Sequence, residues 1–196
     1  MNFDSSTLTS PVVIIAGVVA LILIIAAIVI AAQQSRKRTE SLRSRFGPEY
    51  DLVLRNERRR RDAEAALDAR LKRLHHLKIR DLTPSERARY LAQWEIVQSR
   101  FVDQPRAAVA EADELVDSLL QTRGYPVAAF EQRAADISVD HSHLVGPYRS
   151  AYEVTQRAAK NDATTEELRT AVIHYRALFD ELLQITTPAE QRRIVA

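Results

Sequence analysis

The sequence has no cysteine among its 196 residues. That excludes a disulfide framework, cysteine-ligated zinc, iron–sulfur clusters and thiol catalysis. Glycine is scarce. Outside an apolar run near the N-terminus only Gly47, Gly124 and Gly146 remain, too scattered to build a phosphate-cradling loop. There is no G-x-S-x-G, no H-E-x-x-H and no P-loop motif. No stretch alternates apolar and polar residues long enough to read as a strand. An excess of one charge is missing too: 28 Lys and Arg stand against 26 Asp and Glu.

What is present begins with the run Val12–Ala32, which carries no charge. In helical form it spans about 31 Å, enough for a hydrocarbon core of about 30 Å. Backbone polar groups in lipid must bond internally, so this segment must be a helix. A cleaved signal peptide would have a basic leader and a shorter apolar core. Here Asp4 is the only charged side chain before the run, and the reading is an uncleaved anchor. Arg36, Lys37, Arg38, Arg43 and Arg45 follow the run, and no Lys or Arg precedes it. The positive-inside rule then puts the N-terminus outside and the C-terminal part in the cytoplasm, as a single-pass protein of a cell inner membrane. These five cations are the expected lipid-headgroup contacts, with the bilayer as the first partner.

Charge is unevenly spread. Residues 33–82 hold 15 Lys and Arg against 8 Asp and Glu, and residues 83–196 hold 13 against 17. The run Arg58, Arg59, Arg60 and Arg61 falls in the basic part. On one helix these four would sweep about 300° and could not form a single binding stripe. Glu57 with Arg61, and Arg60 with Glu64, would pair at i,i+4. The leading reading is therefore a solvated, salt-bridged helical stalk. Contact with lipid or an acidic partner comes second. Nucleic acid comes last, because no aromatic residue lies between Tyr50 and Tyr90. Further along, Ala63, Leu67, Leu71, Leu74 and Leu77 make an apolar face at helical spacing. That face needs the downstream domain or a second copy to cover it.

The remainder reads as helices opened by prolines. Thr83, Pro84 and Glu86 form a capping box. Tyr90, Leu91, Trp94, Val97 and Phe101 are then expected inward. Pro105 opens a helix that Gly124 should close in a left-handed cap. Pro126 is expected to open a third helix and Pro147 a fourth. Thr164 and Glu167 form a second capping box before the last one. The fold class is all-α: a transmembrane helix over 12–32 after a short outer stretch 1–11, a basic juxtamembrane helical stalk over 33–82, a bundle of about five helices over 83–185, and a flexible tail over 186–196.

Candidate chemistry is thin. His141 and His143 flank a turn, and His174 lies on the last helix. Three histidines can hold a metal ion, but structural hydrogen bonding is the commoner use. Tyr125 has a polar tip and belongs either to the core or to a groove for a partner. The acids Glu111, Asp113 and Glu114, and the pair Glu166 and Glu167, are expected on exposed helix faces, with no desolvated acid/base pair. The expectation leans away from an enzyme and implies no cofactor. The leading function is a membrane-anchored helical interaction or scaffold protein that binds a protein partner or itself. The alternative is a small-ligand or metal sensor using the region of His141, His143 and His174, and Tyr125 is a further candidate interaction or ligand residue.

Several stretches carry a resemblance as a set: RSRFGPEYD at 43–51, RFVD at 100–103, RGYP at 123–126, FEQRAADISVDH at 130–141 and HYRALFDELL at 174–183. They resemble a group of uncharacterised bacterial proteins that join an N-terminal apolar segment to an arginine-rich helical region. The resemblance runs from about Arg43 to Leu183. It implies a bacterial membrane protein and brings no catalytic residues with it.

Overall fold

The computed structural model describes residues 11–184. The outer stretch before Pro11 and the tail 186–196 lie outside the described residues. Eight helices and no strand occur among those described, so the protein is all-α. The chain divides after Ser44 into two compact units.

Helix α1 (Pro11–Phe46) supplies the first unit. It is one unbroken helix through the apolar run and on through the basic flank. The large apolar side chains from Val18 to Ile30 are between 47% and 64% exposed. In this stretch α1 is apolar and uncovered, which suits a lipid environment. It is the one helix among those described that is long and apolar enough to cross a membrane. Gly47 stops it at φ +49, where a side chain would be strained, and Pro48 follows at the first position of the next helix.

The second unit starts at Arg45. It contains α2 (Pro48–Asn56), α3 (Arg60–His76), α4 (Pro84–Asp103), α5 (Pro105–Arg123), α6 (Phe130–Ile137), α7 (Ser142–Ala158) and α8 (Thr165–Gln184). Helix α5 packs between α4 and α8, and α7 lies along α8. Trp94 on α4 stacks on Phe179 of α8 with ring centroids 4.7 Å apart, and both are fully buried. Five helices over 83–184 match the expected bundle. From Arg45 onward the residues of the expected helical stalk pack on the bundle. Helix α2 packs on α3 and α7, and α3 packs on α6. Ala63, Leu67 and Leu74 are buried, so the downstream domain covers the α3 face.

Both capping boxes form. Glu86 N–H donates to Thr83 Oγ1 at 3.2 Å, and Thr83 N–H donates to Glu86 Oε2 at 2.9 Å. Thr164 and Glu167 repeat the arrangement at 3.3 and 2.8 Å. Gly124 closes α5 at φ +99. A Cβ built there would meet the Lys78 carbonyl oxygen at 2.4 Å, and Arg80 N–H donates to Arg123 O at 2.9 Å across the same contact. The connector after α3 thus lies directly on the end of α5.

Four local expectations need correction. Pro126 does not open a helix. Residues 125–129 are non-helical, and α6 starts at Phe130, where Gln132 and Arg133 N–H groups donate to Ala129 O. The residue before a proline avoids the helical region, and here that residue is Tyr125, held in the core. Pro147 does not start α7 but lies inside it. Its ring removes one hydrogen bond near the helix start. Gly146 has no Cβ to press on that ring, which relieves the usual conflict before proline. The arginine run does not lie on one helix: residues 57–59 break the chain between α2 and α3. Arg60 still pairs with Glu64 at 2.8 Å, but the Glu57–Arg61 pair is not made. Leu91, expected inward, is 39% exposed.

Candidate functional site

The expected headgroup cations divide into two kinds. Arg36, Lys37, Arg38 and Arg43 are exposed on α1. Arg45 instead turns to the α6–α7 turn. Its Nε–H donates to Val139 O at 3.3 Å, and its Nη2 pairs with Asp140 at 3.0 Å. Arg45 and Asp140 rim a cleft of about 260 Å³ whose floor includes Leu71, Leu74 and Val139.

His141 caps the start of α7 through its backbone, and its ring is buried. Its Nδ1 lies 3.4 Å from Glu181 on α8. Burial pulls its pKa down, against the upward pull of Glu181 and Asp140. His143 is exposed in the first turn of α7, and His174 is half-buried in the middle of α8. Among the described residues no three His, Asp or Glu groups are placed to hold a metal ion. Tyr125 is buried beside this turn, and burial pushes its hydroxyl up to about 12, with Asp140 adding to the effect. Of the four residues proposed as a ligand site, Tyr125 and His141 share the neighbourhood of Asp140. His143 and His174 do not complete a metal cluster with them.

A second cluster departs from the expectation of exposed acids on α5. Asp113 and Asp117 lie one turn apart on α5 and are desolvated, not solvated. Burial pushes the Asp117 carboxyl up to about 6 and raises Asp113 as well, while Arg133 pulls both back down. Arg133 of α6 donates to Asp117. Tyr148 of α7 is fully buried and faces Asp117, Asp113 and Arg133. Tyr175 of α8 shares a 2.9 Å hydrogen bond with Thr155 and faces Asp113. Four helices therefore contribute to one polar knot. Asp113 Oδ1, Asp117 Oδ1, Arg133 Nε and Tyr148 OH are buried there without a hydrogen bond. The signal in the sequence was spacing. Asp113 and Asp117 interrupt the stripe Val109, Val116 and Leu120, and so point where the apolar side chains point. Their carboxyl groups are desolvated acids whose charge is disfavoured by burial and favoured by the Arg133 guanidinium.

Two further ionic knots set the frame. Glu49 of α2 is buried and bonds Arg70 of α3 at 2.8 Å and Arg149 of α7 at 3.2 Å. Arg123 is 1% exposed. Its Nη1 donates to Leu182 O at 2.9 Å, and its Nη2 lies 3.5 Å from Asp81. That guanidinium closes the carbonyl end of α8, as a cation at a helix C-terminus should.

Compared with known proteins, the chain matches no family model, no curated protein and no solved structure. The functional reading therefore rests on the geometry.

Proposed function

We propose that the protein is a single-pass membrane adaptor that holds a helical interaction module at the cytoplasmic face of a bacterial inner membrane. The observation that supports this reading is α1, whose large apolar side chains from Val18 to Ile30 are exposed and which runs on, unbroken, through the basic flank to Phe46. The basic flank after the apolar run favours a cytoplasmic module. The module is cross-tied by buried ion pairs such as Glu49 with Arg70 and Arg149. The exposed side of α4 and α5 offers a shallow groove of about 300 Å³ lined by Ile96, Val97 and Leu115, with Glu114 at its edge beside Glu111, which pairs with Arg100. A mixed apolar and acidic surface suits a partner protein with a basic, amphipathic segment.

Membrane flotation of the full chain tests the anchor, and protease treatment of intact spheroplasts tests the side. The full chain should float and resist alkaline extraction, and deletion of residues 12–32 should release it. Protease outside the cell should leave the module intact. A photocrosslinker at Ile96 should trap one reproducible protein. A mature protein lacking the apolar run, or a module trimmed from outside, would overturn the reading.

A further inference from the structure

The break at residues 57–59 changes what the arginine run can do. Arg58 and Arg59 sit on a non-helical corner between α2 and α3, Arg55 is in the last turn of α2, and Arg61 is in the first turn of α3. All four are exposed. Arg60 is engaged by Glu64 at 2.8 Å. Residues 55–62 carry five arginines against Glu57 and Asp62. A helix would scatter these guanidinium groups around its circumference. The corner lets Arg58 and Arg59 leave the helical spiral, and among the described residues neither pairs with a carboxylate.

We propose that this corner, Arg55, Arg58, Arg59 and Arg61, is a docking surface for the phosphates of anionic phospholipid headgroups, additional to the cations that directly follow the apolar run. The proposal rests on the anchored reading above. Guanidinium groups match phosphate oxygens by paired, charge-assisted hydrogen bonds. Chain connectivity supplies the concentration. Two helical stretches separate Ala32 from Arg58, so the corner stays within about 40 Å of the end of the apolar run. A tethered binding group at that range meets the membrane as an intramolecular partner. The rest of the module is net acidic, 13 Lys and Arg against 17 Asp and Glu over 83–196. An anionic surface therefore repels that part and attracts the corner, which selects an orientation. Contact requires approach to within a Debye length of about 8 Å, so the interaction is salt-sensitive.

The absence of cysteine makes the test direct. Asn56→Cys in the full chain carries a single donor fluorophore, and the vesicle headgroups carry the acceptor. Vesicles are phosphatidylcholine alone, or two parts phosphatidylcholine to one part phosphatidylglycerol. Energy transfer should rise in the mixed vesicles, and high salt should remove the rise. The triple substitution Arg58→Gln, Arg59→Gln and Arg61→Gln should remove it as well, while unchanged Trp94 emission shows that the variant is folded. No rise with phosphatidylglycerol, or a rise that survives either high salt or the triple substitution in a folded protein, overturns the proposal. A chain that fails to float with either vesicle defeats the anchored reading. A chain that floats with both but shows no lipid-dependent transfer defeats this inference alone.

Discussion

At the residue scale, Asp117 and His141 pull stability in opposite directions as pH changes. The Asp117 carboxyl sits at about 6 in the folded protein because burial disfavours its charge. An unfolded aspartate titrates at about 4. Between those values the folded state binds the proton more tightly, so the Asp117 contribution to stability declines as pH rises through that window. His141 is held below its ordinary value by burial. The unfolded chain takes that proton first, so the His141 contribution is lost as pH falls below about 6.5. Melting temperatures at pH 7 and pH 5 separate the two. Relative to Asp117→Asn, the wild type should gain on acidification. Relative to His141→Gln, it should lose. A difference that stays constant with pH would remove the assigned cause. Glu86 and Glu167, both at about 2 through their arginine partners and capping bonds, hold their charge across this range.

At the element scale, helix starts and stops followed local chemistry closely enough to be read directly. Thr83 with Glu86, Thr164 with Glu167, and Gly124 each use contacts within a few residues. At Pro126 and Pro147 the helix boundary depends instead on what surrounds the proline: a buried Tyr125 in one case and a missing Cβ at Gly146 in the other. The carboxylate knot was hidden for a similar reason. Asp113 and Asp117 become desolvated only because α6, α7 and α8 cover that side of α5, and no local pattern states which helices meet. The Glu49 knot ties the consecutive helices α2 and α3 to α7, which lies far along the chain. Glu49→Ala leaves Arg70 and Arg149 without their shared acceptor, one of them 17% and the other 20% exposed. Arg149 keeps Glu131 and Arg70 keeps the Ser138 hydroxyl, so the loss should fall below the ~3–5 kcal/mol of a buried charge left with no partner. Denaturant unfolding should show that loss. By contrast, Thr83→Ala should cost about 1 kcal/mol, the usual value for a lost helix cap.

At the scale of the whole molecule, the two units should come apart in an unfolding experiment. Trp94 is the only tryptophan and is fully buried between α4 and α8, under the Arg176 guanidinium. Its emission therefore reports the second unit alone. Helix α1 holds about a quarter of the helical residues and keeps its backbone bonds satisfied in an apolar medium. In urea with detergent micelles, Trp94 emission should complete its shift while up to a quarter of the helical circular dichroism remains. A single transition that takes all the helix with it would show that the units unfold as one. The close approach of the Lys78 carbonyl to the end of α5 has its own consequence for how this gene can drift. At Gly124 both the positive φ and the 2.4 Å clearance reject any side chain. In a saturation library the codon for that site should return one residue and eighteen or more blanks, a lone invariant column beside a freely varying Val127.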